Sequence, residues 1–172
     1  KVSYSFTAIN DQEIIKLGET EIKVMFTEGH TLESTSFIFD NKAILTGDTL
    51  FVDGVGRPDL KAENAEVVLK AKLLYNSLKK IIALNDDILV MPAHTSKSIF
   101  IGQPFITDTL KDIKENIKSL RFEETEFIET IISKLPPTPP NYLTIAEINK
   151  SGNHADFILA DLEAGANRCA IK

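Results

Sequence analysis

The fold is decided by residues 20–31, which read TEIKVMFTEGHT. Within them Ile22, Val24 and Phe26 alternate with polar or flexible neighbours, the period of two that is typical of a strand with one buried face. His30 follows Phe26 after a short polar loop. The stretch therefore predicts a strand that ends in a loop carrying a histidine.

The chain on both sides of this stretch predicts further strands. Residues 2–6 also alternate, and residues 17–19 are typical of a turn. Residues 34–39 and 43–46 are two β-rich runs, and the three residues 40–42 between them have a length suited to a hairpin. The first half of the chain is therefore expected to form an antiparallel meander.

The second half of the chain changes to a helical period. Apolar residues recur three and four apart between residues 62 and 84, which predicts an amphipathic helix. The residues of this stripe are Ala65, Val68, Ala71, Tyr75, Leu78 and Ile82. Residues 88–91 form a short apolar run that stops at Pro92 and predicts a buried strand. Strand, helix and strand together indicate a crossover unit packed on the earlier sheet.

Further helices are predicted toward the C terminus. Residues 105–120 and 123–135 carry apolar stripes with charges on the opposite face. The sequence PPTPP at residues 136–140 ends the second of these helices and forms a stiff extended spacer. Residues 142–149 predict one more short helix, and the tail from residue 151 is expected to lie along the surface.

The composition bounds the number of domains and the classes of partner. With 172 residues, 43% of them hydrophobic, the chain can bury the core of one domain, which we assign to residues 1–150, with residues 151–172 as a tail. The formal charge of −6, without a local basic patch, disfavours nucleic acid and anionic membranes as partners. The single cysteine, Cys169, cannot form an internal disulfide, and no apolar run is long enough to span a membrane. We therefore expect a cytoplasmic protein.

Three side chains that can bind a metal come directly after predicted strands. His30 follows the first strand, Asp48 follows residues 43–46, and His94 follows residues 88–91. Imidazole and carboxylate are ligands of zinc and ferrous iron, and strand ends hold such ligands rigidly. Singly, each residue is more often a hydrogen-bonded structural residue or a turn former. Three of them in similar positions predict a metal site at one rim of the sheet.

Four segments together resemble the metallo-β-lactamase superfamily. They are TEGHT at 27–31, TGDTLF at 46–51, GVGRPDL at 54–60 and PAHT at 92–95. The GRPDL stretch is similar to the persulfide dioxygenase and glyoxalase II-like branch, whose bacterial members are often joined to rhodanese modules. Residues 135–149 and 167–170 also resemble this branch. The resemblance implies an α/β (α+β) fold, namely the C-terminal half of an αββα sandwich with a mixed or antiparallel sheet covered by helices.

The resemblance implies roles for five residues. His30 would bind a first metal, and Asp48 would bind one metal or bridge two. His94 would bind a second metal in the hydrolases but need not bind one in the dioxygenases, and Asp48 and His94 would take part in catalysis. Arg57 and Asp59 would form an ion pair that supports the loop after Asp48, with a solvated turn as the alternative. The implied cofactor is Fe(II) or Zn(II), as one or two ions, and the implied substrate is a glutathione-type thiol conjugate.

One motif of the superfamily is missing from the sequence. The family's other ligands lie in a His-x-His-x-Asp-His motif upstream of the segment that matches His30, and the chain has no such motif. His154 lies in the tail and cannot replace it. We therefore expect a C-terminal half of the catalytic fold that begins at Lys1 without an initiator methionine. It should bind metal weakly or not at all alone, and it should leave a sheet edge and an apolar face uncovered.

Two classes of function stay open. The first is a metal-dependent enzyme, either a persulfide dioxygenase that forms sulfite with O2 or a glyoxalase II-like thioester hydrolase that uses a metal-activated water. The GRPDL stretch favours the dioxygenase. The second class is a catalytically silent chain that acts in assembly, and we also expect a homo-oligomer. Cys169 beside Arg168 is a weaker candidate for a reactive thiol, because a lone cysteine is usually inert.

Overall fold

Strands come first along the chain and helices follow, in a computed structural model that describes residues 2–60, 62, 65–95, 102, 105–138, 140–153, 155, 157–162 and 170–171. The strands are β1 (Ile14–Leu17), β2 (Thr20–Phe26), β3 (Thr35–Phe39), β4 (Ala43–Gly47), β5 (Val55–Gly56), β6 (Leu89–Pro92), β7 (Asp108–Thr109) and β8 (Ala170–Ile171). The helices are α1 (Ala65–Ile82), α2 (Leu110–Asn116), α3 (Glu124–Ser133), α4 (Tyr142–Ser151) and α5 (Leu159–Leu162), and a 3₁₀ turn spans Lys118–Arg121.

Six strands form one mixed sheet in the order β1-β2-β3-β4-β6-β7. β2 pairs antiparallel with β3 and β3 with β4, whereas β4 and β6 are parallel and are joined by α1. The strands β2, β4 and β6 therefore run in the same direction, and their C-terminal ends lie at one edge of the sheet. The α+β class with a mixed sheet is confirmed, and so is the predicted crossover unit.

One face of the sheet packs against the helices. Ile38, Ile44 and Val90 are cross-strand neighbours on this face, and each is at most 2% exposed. The residues of α1, α2 and α3 in the same cluster are Leu74, Leu78, Ile81, Leu110, Ile113, Phe127 and Ile131. Full burial of one such side chain contributes about 1.5–3 kcal/mol. This core holds the ends of β4 and β6 in place.

The opposite face of the sheet is also apolar, and we call it the outer sheet face. Its cross-strand partners form two rows, Ile22-Phe39-Ala43-Leu89 and Val24-Phe37-Leu45-Met91. Leu45 and Leu89 are exposed, Val24 is buried, and the other five residues are half-buried. The prediction of a buried strand at residues 88–91 is therefore wrong for Leu89. The apolar face that was expected to be open to solvent is therefore only partly open.

Residues 2–6 do not form the strand that their alternation predicts. The hydroxyl of Ser3 donates to the carbonyl of Ser151 at 2.8 Å, and the amide of Ser3 donates to the carbonyl of Lys150 at 3.1 Å. The segment thus lies against the C-terminal end of α4. The edge of the sheet is occupied by β1 (Ile14–Leu17), which a short turn joins to β2, and short hairpins pair more readily than distant segments.

The helix predicted between residues 62 and 84 is confirmed as α1, but its buried stripe is displaced. Ala65 and Val68 are exposed. The buried apolar residues of α1 are Val67, Ala71, Leu74, Leu78 and Ile81. The helix carries apolar residues over a broad arc, and packing on the sheet and on α3 selects the part of this arc that is buried.

The helix predicted at residues 105–120 is shorter than expected. It begins at Leu110, because Thr109 pairs with β6 and its hydroxyl accepts a hydrogen bond from the amide of Asp112 at 3.2 Å. Threonine favours this capping position at a helix start. The helix ends at Asn116 and continues as the 3₁₀ turn. The helices predicted at 123–135 and 142–149 are confirmed as α3 and α4.

The C-terminal tail contributes a strand. β8 (Ala170–Ile171) pairs antiparallel with β5 (Val55–Gly56) in a two-stranded sheet, a pairing that the sequence did not predict. His154 and Cys169 lie outside the described residues. The domain boundary at residue 150 stays a prediction. Within the described part of the chain, each helix is too short or too polar to cross a lipid bilayer.

Candidate metal centre

The ends of β2, β4 and β6 bring the three candidate ligands together. Nε2 of His30 lies 3.4 Å from Oδ2 of Asp48, and Nδ1 of His94 lies 3.3 Å from Oδ1 of Asp48. The three strands run in the same direction, so the residues that follow them meet at one edge. Asp48 consequently lies between the two imidazoles.

A backbone carbonyl orients the ring of His30. Its Nδ1 lies 2.8 Å from the carbonyl oxygen of Arg57, and because a carbonyl only accepts, the proton must be on Nδ1. Burial lowers the pKa of the His30 imidazole, against the opposing effect of the Asp48 carboxylate, and this favours the neutral ring. Nε2 then carries a lone pair. A carbonyl on the second ring nitrogen is the usual arrangement for a metal-binding histidine.

The contact between His30 and Asp48 joins two acceptors. Nε2 of the neutral ring and Oδ2 of the carboxylate face each other at 3.4 Å, and neither supplies a proton. Two lone pairs at this separation repel each other unless a cation or a donor lies beside them. The pair is therefore arranged for a positively charged group that both atoms can bind.

Two further polar atoms support the same conclusion. Oδ1 of Asp48 and Nε2 of His94 are buried and make no hydrogen bond among the described residues, since the contact of 3.3 Å between Oδ1 and Nδ1 of His94 is not one. A buried polar atom without a partner costs about 1–3 kcal/mol, so each needs a physical explanation. Two imidazoles and a carboxylate are donors that suit Zn(II) or Fe(II). These residues therefore fit a metal ion by their chemistry.

The donors contact one another in pairs around Asp48 rather than as a complete ligand set. In the described part of the chain, no three histidine, cysteine or acidic side chains are grouped so that they hold one metal ion together. A catalytic zinc site has three protein ligands and one open position. A working centre would therefore need ligands in addition to His30, Asp48 and His94.

His94 is held in place mainly by packing. Its ring centroid lies 4.9 Å from that of Phe51, with the ring planes inclined by 45°. The amide of Ala93 donates to the carbonyl of Gly47 at 3.1 Å, which ties the loop after β6 to the end of β4. These contacts keep Nδ1 of His94 beside Asp48.

Arg57 is fully buried and forms a clamp. Its Nε and Nη2 donate to the two carboxylate oxygens of Asp59 at 2.8 and 2.7 Å, so the predicted ion pair is present. Its Nη1 and Nη2 also donate to the carbonyls of Pro137 and Pro136, at 3.0 and 2.8 Å. Sequence reasoning missed these proline contacts, because nothing local to Arg57 indicates them. The clamp joins the loop after Asp48 to the spacer between α3 and α4.

Two glycines allow the backbone to pass close to the site. A Cβ atom on Gly56 would lie 2.0 Å from the carbonyl oxygen of Asp48. Gly29 has a φ of 139°, and a Cβ atom there would lie 2.4 Å from the backbone of Leu74 in α1. A side chain at either position would therefore displace the loop that carries His30 or Asp48.

Buried hydroxyl groups connect the loops of His30 and Asp48. Oγ1 of Thr49 donates to the carbonyl of Thr27 at 3.2 Å, and Oγ1 of Thr27 lies 2.9 Å from Oγ of Ser36. Each of these three residues is at most 1% exposed. The sequence analysis did not identify them, although Thr27 and Thr49 lie within the two segments that it quoted.

The chain is similar over half of its length to a curated hydrolase. A stretch of 87 residues is 41% identical to the hydroxyacylglutathione hydrolase of Francisella tularensis subsp. novicida and covers 50% of this chain. The match covers 32% of that hydrolase, so the chain spans about a third of the length of the curated relatives it matches. No protein-family model matches the chain.

Solved structures extend the similarity over most of the chain. The metallo-β-lactamase of Staphylococcus aureus subsp. aureus COL superposes with a TM-score of 0.74 at 30% identity, covering 84% of this chain and 44% of that one. ETHE1 from Myxococcus xanthus superposes with a TM-score of 0.72 at 25% identity, covering 89% of this chain and 63% of that one. Together, the mixed sheet and these similarities place the chain in the metallo-β-lactamase superfamily, with glyoxalase II- and ETHE1-like relatives.

Proposed function

We propose that the chain supplies part of a metal centre that acts on a glutathione-type thiol conjugate. The proposal depends mainly on the contact of 3.4 Å between Nε2 of His30 and Oδ2 of Asp48, with Nδ1 of His30 held by the Arg57 carbonyl. This arrangement presents an imidazole nitrogen and a carboxylate oxygen to the same point. Fe(II) and Zn(II) both accept such donors.

Additional ligands have to come from polypeptide other than the three candidate donors. The whole sequence has three histidines, and one of them, His154, lies in the tail. We therefore propose that a further segment or a further chain completes the centre. The affinity of this chain alone for metal should be low, because two or three ligands leave an ion mostly hydrated.

The residues of this chain would hold and orient the reacting groups. The Arg57 carbonyl keeps the proton of His30 on Nδ1, so that Nε2 is free to act as a donor. Nε2 of His94, which has no hydrogen-bond partner among the described residues, is the nitrogen available for a second metal or for proton exchange with a substrate. A bound metal would supply Lewis acidity and lower the pKa of a coordinated water.

Persulfide dioxygenation is the reaction we propose first. It is supported by the GRPDL stretch at residues 56–60, from which the Arg57–Asp59 clamp is built. The overall reaction would convert a glutathione-type persulfide, O2 and water into the thiol, sulfite and two protons. Fe(II) is the metal for this reaction, since the oxidation of sulfur by O2 requires a redox-active ion.

Thioester hydrolysis is the second candidate. It is favoured by the 41% identity with a protein named hydroxyacylglutathione hydrolase. In this reaction a water molecule would attack the thioester carbonyl, and the products would be a carboxylic acid and the thiol. Zn(II) suits this chemistry, because it activates water without a change of oxidation state.

Anaerobic loading of the native gene product with Fe(II), followed by two assays, separates these candidates. Uptake of O2 with glutathione persulfide, and formation of one sulfite for each O2, would support the dioxygenase. Release of thiol from a 2-hydroxyacyl thioester of glutathione without O2 uptake would support the hydrolase. Absence of both activities in protein with bound metal would contradict the proposal of an enzyme.

His30→Gln and His94→Gln form a matched pair of variants for the same experiment. His30→Gln should abolish either reaction, because His30 belongs to the first metal in both. His94→Gln should keep one Fe(II) per chain and much of the O2 uptake if the enzyme is a dioxygenase with one iron. If the enzyme is a hydrolase that uses two metals, His94→Gln should instead lose the second metal and most of the hydrolysis. Equal losses of metal in both variants would contradict the single-iron centre.

The outer sheet face favours a candidate role of a different class, assembly. Its two rows, defined above, contain no charged residue, so a second apolar surface can cover it without burying a charge. We propose self-association of the chain as the form of this assembly, to be tested by its size in solution. A rhodanese partner and a cytoplasmic location remain predictions.

A further inference from the structure

We infer that Thr49 is a positioning residue for the His30–Asp48 pair. The inference rests on the proposed role of this pair in metal binding. Thr49 directly follows Asp48 in the chain and is 1% exposed. Its hydroxyl binds the start of the loop that carries His30, and its backbone carbonyl binds the segment whose next residue, Arg57, orients the His30 ring.

The side chain of Thr49 fixes the start of the loop that carries His30. Its Oγ1 donates to the carbonyl of Thr27 at 3.2 Å and lies 3.3 Å from Oγ1 of Thr27. Oγ1 of Thr27 in turn lies 2.9 Å from Oγ of Ser36 in β3. The loop is therefore tied both to Thr49 and to the central part of the sheet.

The backbone of Thr49 fixes the segment that orients the ring of His30. The Thr49 carbonyl accepts a hydrogen bond from the amide of Gly56 at 3.1 Å. Gly56 immediately precedes Arg57, whose carbonyl is 2.8 Å from Nδ1 of His30. The backbone at Gly56 lies so close to that of Asp48 that no side chain fits between them. This segment therefore has little freedom to move relative to Thr49.

Two paths thus connect Thr49 to His30. One runs through Thr27 to the backbone of His30, and the other runs through Gly56 to its ring. Metal ligands have to be held within about 0.5 Å of the productive geometry. Loss of the Thr49 hydroxyl should therefore loosen the donor pair even though no ligand is removed.

Three variants of the chain test this role. Thr49→Val removes the hydroxyl at nearly constant volume, whereas Thr49→Ser retains a hydroxyl. Thr109→Val is the control. It removes a partly buried hydroxyl group that accepts a hydrogen bond at the start of α2, away from the candidate site. If Thr49→Val does not fold, Thr49→Ala replaces it with the same expectations.

The first measurement is the exchange of the His30 Nδ1 proton with water, followed by NMR in the metal-free chain. We expect Thr49→Val to accelerate this exchange by about tenfold or more, and Thr49→Ser to stay within about twofold of the unmodified chain. Thr109→Val should leave the exchange unchanged. The inference is overturned if folded Thr49→Val exchanges at the unmodified rate, or if Thr109→Val accelerates exchange as much as Thr49→Val.

The second measurement is titration with Co(II), whose visible spectrum reports on its ligands. Thr49→Val should weaken Co(II) binding by about tenfold, and Thr49→Ser should restore it. A loss of Co(II) affinity in Thr109→Val as large as that in Thr49→Val would overturn the inference. If the unmodified chain binds no Co(II), as its incomplete ligand set allows, the proton exchange in the metal-free chain decides the positioning role of Thr49. The proposed metal role is then tested separately, by the metal content of the native gene product after loading with Fe(II).

Discussion

The backbone carbonyl of Arg57 accepts a hydrogen bond from Nδ1 of His30 at 2.8 Å, while the side chain of the same arginine binds Asp59 and two proline carbonyls. One buried residue therefore connects a candidate ligand to an ion pair and to the spacer after α3. Because the interior is tightly packed, a displacement of Arg57 should move both the ring of His30 and the spacer after α3.

Arg57→Met is expected to lower the free energy of unfolding by about 3–5 kcal/mol, since it leaves the Asp59 carboxylate and two carbonyls without their donors. Arg57→Lys should recover part of this loss, because lysine keeps the charge but cannot form the paired contact with Asp59. Urea unfolding measures both. The exposed Arg121→Met is the control and should change stability by less than about 0.5 kcal/mol. A similarly small change for Arg57→Met would contradict the clamp.

Asp48→Asn is expected to weaken Zn(II) binding by the native gene product at least about 100-fold, measured by calorimetry. In the metal-free chain the same change should leave stability unchanged or raise it by up to about 1 kcal/mol. The amide has nearly the same shape, and its NH2 group can donate to Nε2 of His30. The exposed Asp87→Asn serves as the control for both measurements. Strong destabilisation by Asp48→Asn would instead indicate an ion pair with a charged His30.

Gly56→Ala is expected to destabilise the chain by about 3 kcal/mol, because its Cβ atom would collide with the carbonyl of Asp48. Gly18→Ala is a matched control, since its φ is 64° but no atom lies within 4 Å of the added Cβ. It should cost about 1–2 kcal/mol, which is the strain of the left-handed conformation alone. Equal losses in the two variants, measured by urea unfolding, would contradict the close approach at Gly56.

The stability of the chain should fall when the pH drops below about 4, in part through Asp59. Burial tends to raise the pKa of the Asp59 carboxyl, but the hydrogen bonds and charge of Arg57 outweigh it and hold the pKa below its ordinary value. As the pH falls, the Asp59 carboxylate is therefore protonated at a higher pH in the unfolded chain than in the folded chain. Stability from the pair is present above the unfolded pKa and is lost as the pH falls through the folded pKa.

Asp59→Asn removes this contribution, so its free energy of unfolding should vary less with pH between about pH 5 and pH 2. A residual slope should remain, because the Phe26 amide, against a small opposing effect of burial, also lowers the pKa of Asp11. Urea unfolding at a series of pH values measures both slopes. If the two slopes are equal, the Arg57–Asp59 pair does not carry the predicted dependence.

Self-association through the outer sheet face is expected to rise with protein concentration. Leu45→Lys should shift the chain toward the monomer with little loss of stability, because Leu45 is 40% exposed. Leu69→Lys is the control, since Leu69 is 54% exposed but lies on α1. Sedimentation velocity over a range of concentrations distinguishes them. A monomer at every concentration, or an equal effect of both variants, would contradict this role of the face.

The candidate site was accessible from the sequence because each of its candidate ligands follows a predicted strand. His30, Asp48 and His94 come after β2, β4 and β6, and strands that run in one direction end at one edge. The Arg57–Asp59 pair was predicted from the family resemblance of the GRPDL stretch rather than from its spacing. Local patterns of this kind depend on neighbours along the chain, which a single sequence displays.

Local sequence patterns were sufficient to predict the α+β order of elements, the hairpin between β3 and β4, and the helices α1, α3 and α4. Long-range packing selected the buried arc of α1, placed β1 rather than residues 2–6 at the sheet edge, and paired β8 with β5. It also formed the hydroxyl bond between Thr49 and Thr27. These features depend on contacts between residues far apart in the chain, and local periodicity carries no information about which distant partners compete for the same position.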